Sequence, residues 1–132
     1  MQVLKQRKAL LVISLVVAVA ALALVMQAGI AEDVQSVVVV VSPSTLVLGS
    51  PGQDITMHAE IALSVVEASS VRLSGLAPNS VFADNRGELV AKFSRQAVEA
   101  IVAPPSAILE LTGAKKDGGL FAGTDKLVVR NR

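Results

Sequence analysis

Few side chains in this sequence of 132 residues could catalyse a reaction. His58 is the only histidine, and it falls on the polar side of an alternating segment. A catalytic histidine works with a nucleophile and an orienting acid, and no motif in the sequence supplies that pair. We therefore interpret His58 as a surface residue. The sequence predicts no catalytic residue, no cofactor-binding residue and no enzyme activity.

Acidic residues near turns raise the question of a calcium site. Asp84 and Glu88 flank a turn that contains Arg86, while Asp117 and Asp125 lie in and after the last turn of the chain. A calcium loop needs several oxygen ligands at roughly alternate positions, and Arg86 interrupts that spacing. Turn formation by itself explains Asp, Asn and Gly at such positions. We therefore predict no metal site.

The charge balance argues against nucleic-acid binding. Three of the twelve Lys and Arg lie within residues 1–31, so residues 32–132 contain nine against eleven Asp and Glu, a formal charge of −2 with histidine neutral. Nucleic acid needs a basic face that replaces phosphate counterions. The sequence has neither Trp nor Tyr on which bases or sugars could stack. Lys115 and Lys116 are interpreted as a solvated loop tip.

Residues 1–31 have the features of a secretory signal peptide. A basic stretch precedes the apolar residues 9–26, and the small residues Gly29 and Ala31 predict cleavage before Glu32. The basic stretch favours an N-terminus that stays in the cytoplasm. We therefore expect an exported protein, located in the periplasm, outside the cell or on the outer side of the cytoplasmic membrane, with residues 32–132 as its one β domain.

Two alternatives retain the apolar stretch. As a helix, residues 9–26 would span roughly 27 Å, close to the thickness of a hydrocarbon core, so an uncleaved membrane anchor is the second interpretation. An apolar helix followed by a β head is also similar to archaeal flagellins and related pilins. That resemblance implies processing near Ala9 and a helix that packs in the core of a filament. A mature N-terminus at Glu32 would exclude both alternatives.

Beyond Glu32 the hydrophobic pattern has a period of two, which is typical of β-strands. About seven such segments, separated by turn residues at spacings of eight to twelve, predict two packed sheets. The exception is a short helical segment that begins at Ser94 and ends before Pro104. The residues predicted to line the interface between the sheets are Ile55, Met57, Ile61, Leu63, Val71, Leu73, Leu89, Phe93, Leu109, Leu111, Leu127 and Val129.

The valine run and Asp125 are two unusual features of the predicted strands. Residues Val37–Val41 are consecutive valines, which indicates a strand covered on both faces. The alternative is that this strand pairs with a protein partner or a second copy by β-augmentation. In the last strand, Asp125 is in phase with apolar residues and would face inward. We expect a bulge near Gly123 to remove that conflict.

The end of the chain resembles the closing hairpin of small immunoglobulin-like modules in secreted bacterial proteins. The resemblance rests on residues 109–113, 117–118 and 121–129. It implies an all-β fold, an antiparallel immunoglobulin-like sandwich of about seven strands with one short helical turn. The pattern of residues 1–31 adds an N-terminal hydrophobic helix, as signal peptide or anchor, before it. The Cys and Trp of true immunoglobulin domains are absent from the sequence, so the resemblance concerns architecture alone.

Such modules serve as spacers, adhesion units or carbohydrate-contacting accessories, which gives a class of role and no specific residues. We therefore expect an exported, non-catalytic structural, adhesion or binding module of the cell envelope. The alternative is a membrane-anchored or filament-forming subunit that uses residues 9–26 for assembly.

Overall fold

The computed structural model describes residues 33–132, and these contain nine strands, two single 3-10 turns and one short α-helix. The strands are β1 (Val34–Ser36), β2 (Val39–Ser42), β3 (Thr45–Val47), β4 (Ile55–Ala62), β5 (Arg72–Leu73), β6 (Ser80–Ala83), β7 (Glu88–Phe93), β8 (Ser106–Ala114) and β9 (Leu120–Arg130). The 3-10 turns are Leu63–Val65 and Ala68–Ser70, and helix α1 is Arg95–Glu99. The predicted N-terminal helix, its cleavage site and the domain boundary at residue 31 fall outside the described residues. Among residues 33–132, no helix has the length and apolar character needed to cross a membrane.

The strands form two sheets, which confirms the all-β prediction. One sheet has four strands in the order β2-β4-β7-β6, and every pair in it is antiparallel. The other has five strands in the order β1-β9-β8-β5, with β3 also paired to β9. Its β1–β9 and β3–β9 pairs are parallel, so this sheet is mixed rather than wholly antiparallel.

The first strand passes from one sheet to the other and back. β1 pairs with residues 120–122 of β9, β2 joins the four-stranded sheet, and β3 returns to residues 128–130 of β9. The break between β2 and β3 falls at Pro43, as the sequence predicted, because proline cannot donate a backbone hydrogen bond to a ladder. Because the first strand is divided into three, residues 33–132 contain nine strands instead of the seven expected.

The valine run is covered on one face only, so the prediction of a strand buried on both faces was wrong. Val39 and Val41 are buried, whereas Val38 and Val40 are exposed. The physical reason is that β2 lies at the edge of an antiparallel sheet that faces the core on one side. Consecutive side chains therefore alternate between the core and the surface.

The buried side chains of both sheets form one core. Eleven of the twelve predicted core residues are buried, and Leu63 is partly buried because the chain leaves β4 there and enters a 3-10 turn. Leu46, Val66 and Val98 belong to the core as well, although the alternation did not select them. Phe121 is also buried, in phase with its strand as the pattern indicated.

Strand β9 has no bulge, which corrects the expectation at Gly123. Its pairing with β8 is continuous from Leu120 to Val128, so Asp125 keeps its inward phase. One oxygen of the Asp125 carboxylate accepts a hydrogen bond from the backbone N–H of Val41 at 2.9 Å. The conflict is therefore resolved by a hydrogen bond from the crossing first strand. A buried polar group is tolerated where such a partner exists.

Helix α1 confirms the predicted helical segment. The Ser94 hydroxyl accepts from the backbone N–H of Ala97 at 3.3 Å, which caps the first turn. The guanidinium of Arg95 donates to the carbonyls of Val47 and Ser50 at 3.1 and 3.0 Å. These bonds attach the helix to the loop after β3, a role that the sequence pattern did not indicate.

Candidate functional site

The outer side of the four-stranded sheet carries the feature most suited to binding. A row of directly paired residues crosses all four strands: Val40 on β2, His58 on β4, Val90 on β7 and Phe82 on β6. Paired residues of neighbouring strands point to the same side of a sheet. We call this side the outer face, and this line of four residues its central row.

The centre of the outer face is apolar and exposed. Val40 is 52% exposed, Phe82 is 42% exposed, and Val38 on the same side of β2 is 56% exposed. Val90 is paired within the same row but is only 2% exposed. Large apolar side chains that lie together on a surface mark contact sites more often than single exposed ones do.

Charged side chains lie on opposite sides of the central row. Lys92 lies two positions from Val90, toward one end of β7. Its ammonium lies 5.9 Å from the centre of the Phe82 ring, within the range of a cation–π contact. Toward the other end lie Glu88 and, on β4, Glu60. The outer face therefore has Lys92 at one end, an apolar middle, and two carboxylates at the other end, one of which pairs with Arg86.

His58 lies in the middle of this surface. It is exposed on the side of β4 opposite the core, which confirms its interpretation as a surface residue. Its neighbours in the central row are Val40 and Val90, so neither neighbour is a nucleophile or an acid.

The acidic residues considered as metal ligands have other partners. One oxygen of Asp84 accepts from the backbone N–H groups of Glu88 and Arg86 at 2.9 and 2.8 Å, and these bonds hold its pKa below the ordinary value of 3.8. Glu88 pairs with Arg86 at 2.8 Å. Asp117 accepts from the N–H of Gly119 in the last turn, at 2.9 Å. These are the turn interactions that the sequence predicted.

Asp117 and Asp125 do not meet across the final hairpin. Asp125 is five positions beyond Leu120, or roughly 17 Å along β9 from the turn that holds Asp117. In the part of the chain from residue 33 onward, no three His, Cys, Asp or Glu side chains lie close enough to hold a metal ion.

A second surface feature is an open groove of about 640 Å³ at one end of the domain. Its apolar lining comes from Leu63, Val66 and neighbouring alanines. Glu67, Arg86 and Lys116 bring charges of both signs to it. Because Arg86 is already paired with Glu88, the groove does not concentrate charge of one sign, and its side chains do not indicate a particular class of ligand.

Comparison of the chain with protein-family models, with curated proteins and with solved structures finds no match. Sequence reasoning did not identify the outer face, although the alternation of β4 and the valine run each contained part of it. The missing information was the pairing of β2 with β4 and of β6 with β7, which brings distant residues into one row.

Proposed function

We propose that this chain is an exported, non-catalytic binding or structural module of the cell envelope, and that the outer face is the surface by which it makes contacts. The observation that carries the proposal is the central row, in which the apolar Val40 and Phe82 are exposed and His58 lies on the same face. An apolar centre with a charged rim is the composition of a protein contact surface. The signal-like pattern of residues 1–31 supports export.

We further propose an immunoglobulin-like sandwich. If β1 to β3 are counted as one first strand, the four-stranded sheet contains the first, second, fifth and fourth strands in that order. The other sheet then contains the third, sixth and seventh. This is the division of strands in constant-type immunoglobulin domains, ABED on one sheet and CFG on the other. Such frameworks carry loops and faces for contacts rather than a fixed chemistry.

The polar groups of the domain support a role without catalysis. The carboxylates of Asp84 and Asp125 accept backbone hydrogen bonds, and Glu99 pairs with Arg95 at 3.3 Å. Groups held in this way stabilise turns, strand crossings and the helix. A catalytic acid or base needs instead a partner and access to substrate.

The experiment is to identify the mature N-terminus by mass spectrometry and to fractionate the cells that express the full chain. We expect a protein that begins at Glu32 and lies outside the cytoplasm. A protein that retains Met1 in the membrane fraction would favour the anchored subunit, and a mature end near Ala9 in sedimenting filaments would favour the pilin-like subunit. An uncleaved protein in the cytoplasmic fraction would refute the proposal.

A further inference from the structure

We propose that the outer face is the contact surface of a homodimer, in which two copies pack face to face about a two-fold axis along the central row. The inference concerns the domain itself and does not depend on where the protein is located. It rests on the distribution of apolar and charged side chains over the four-stranded sheet.

The first step is the symmetry of the charges. Lys92 lies on one side of the central row, and Glu60 and Glu88 lie on the other, where Arg86 pairs with Glu88. A rotation of 180° about the row exchanges the two sides, so Lys92 of each copy is brought over the acidic side of the other. A two-fold contact must be complementary to itself, and this arrangement meets that requirement twice. Opposite charges across a contact also fix its register.

The apolar middle of the outer face also fits a two-fold contact. Residues on the axis face their own copies, so Val40 meets Val40 and Phe82 meets Phe82. These side chains are exposed in the single chain, and contact would remove them from water.

The third step is the size of the contact. Four strands give a width of roughly 19 Å, and the residues from Thr56 to Glu60 give a length of roughly 14 Å. The resulting area of roughly 270 Å² per copy is well below the roughly 800 Å² per partner of a stable complex. The dimer is therefore expected to be weak, and to form at high local concentration.

The outer face is better suited to contact with a second copy than the free edge of β2 is. The Val37–Val41 segment was predicted as a candidate for pairing by β-augmentation, which needs free backbone groups at the edge. The N–H of Val37 already donates to the carbonyl of Ala122 at 3.0 Å. The N–H of Val41 already donates to Asp125. Two donors of that edge are therefore in use, whereas the side chains of the outer face are free for contact.

The test uses the absence of cysteine from the sequence. Full-length Val40→Cys and His58→Cys proteins, each with a single thiol on the axis, are purified in mild detergent. Facing sheets lie about 10 Å apart, beyond the reach of a disulfide, so a short thiol-reactive cross-linker of about 8–10 Å is used. The protein concentration is about 100 µM, since a contact of this size is weak.

Ile108→Cys is the matched control. Ile108 is 65% exposed, more than Val40, but it lies on the five-stranded sheet, where β8 carries it. We expect both axis variants to give at least tenfold more covalent dimer than Ile108→Cys. Equal yields from all three would indicate random collision or association through residues 9–26, and would overturn the proposal. Absence of dimer from the axis variants would overturn it as well.

A charge exchange tests the orientation. In the Val40→Cys protein, Lys92→Glu and Glu88→Lys should each lower the cross-linking yield several-fold, because rotation about the row brings Lys92 of one copy over Glu88 of the other and each change places like charges together. The two changes combined should restore the yield, since opposite charges then meet again. Lys92 is exposed and Glu88 is half-buried, and far-UV circular dichroism checks that the variants are folded. A combined variant that cross-links no better than either single variant would refute the two-fold arrangement.

Discussion

Lysine substitutions at two adjacent valines test the one-sided burial of β2. Val39 is 5% exposed and lies over Gly123 in the core, whereas Val40 is 52% exposed on the outer face. Replacing Val39 by Lys removes an apolar contribution of about 2 kcal/mol and brings an ammonium group into the buried space over Gly123. With the cost of burying that charge, the total loss is expected to be about 4–5 kcal/mol.

That loss is a large part of the stability of a domain of this size, which is about 5–10 kcal/mol. The sequence has neither Trp nor Tyr, so urea unfolding of residues 32–132 is followed by far-UV circular dichroism. At a slope of about 1.5 kcal/mol per M, Val39→Lys should lower the midpoint by roughly 3 M. Val40→Lys, measured at low concentration, should change it by less than about 0.5 M. Equal midpoints for the two variants would refute the assignment of Val39 to the core.

Three further predictions concern the crossing of the first strand and the carboxylates. Asp125→Ala leaves the N–H of Val41 without its partner and should lower the free energy of unfolding in urea by about 1–3 kcal/mol. Asp125→Asn keeps an acceptor and should cost less. Equal losses for the two variants would contradict the role of Asp125 as the acceptor for Val41. Gly123→Ala should destabilise the domain by about 1–3 kcal/mol, because the new methyl group would overlap the carbonyl oxygen of Val37. An unchanged melting temperature would show that the first strand does not pass close to Gly123. Burial raises the pKa of Glu110 above its ordinary value of 4.5. The protonated carboxyl group therefore stabilises the folded state at low pH, and this stabilisation is lost as the pH rises through the folded-state pKa. Glu110→Gln should therefore raise the melting temperature at pH 7 and leave it nearly unchanged near pH 4, whereas a lower melting temperature at pH 7 would refute the argument.

Local patterns were sufficient for most of the strands and for the core. Strict alternation identified β4 and β7, and eleven of the twelve residues selected from such patterns are buried. Turn residues located the last hairpin, and Ser94 located the start of the helix. These features depend on neighbours in the chain, because the period of a strand and the cap of a helix are local properties.

The amino-acid pattern therefore defines which residues share a side of each strand and where the strands end. Whether each side is covered depends on how the strands pack in the tertiary structure. The valine run is the clearest case, since five equivalent residues divide into buried and exposed ones only when β2 takes the edge of a sheet. Asp125 is similar, because its partner Val41 is 84 residues away in the chain. The outer face also arises from non-local pairing, since its central row joins residues of four separate strands.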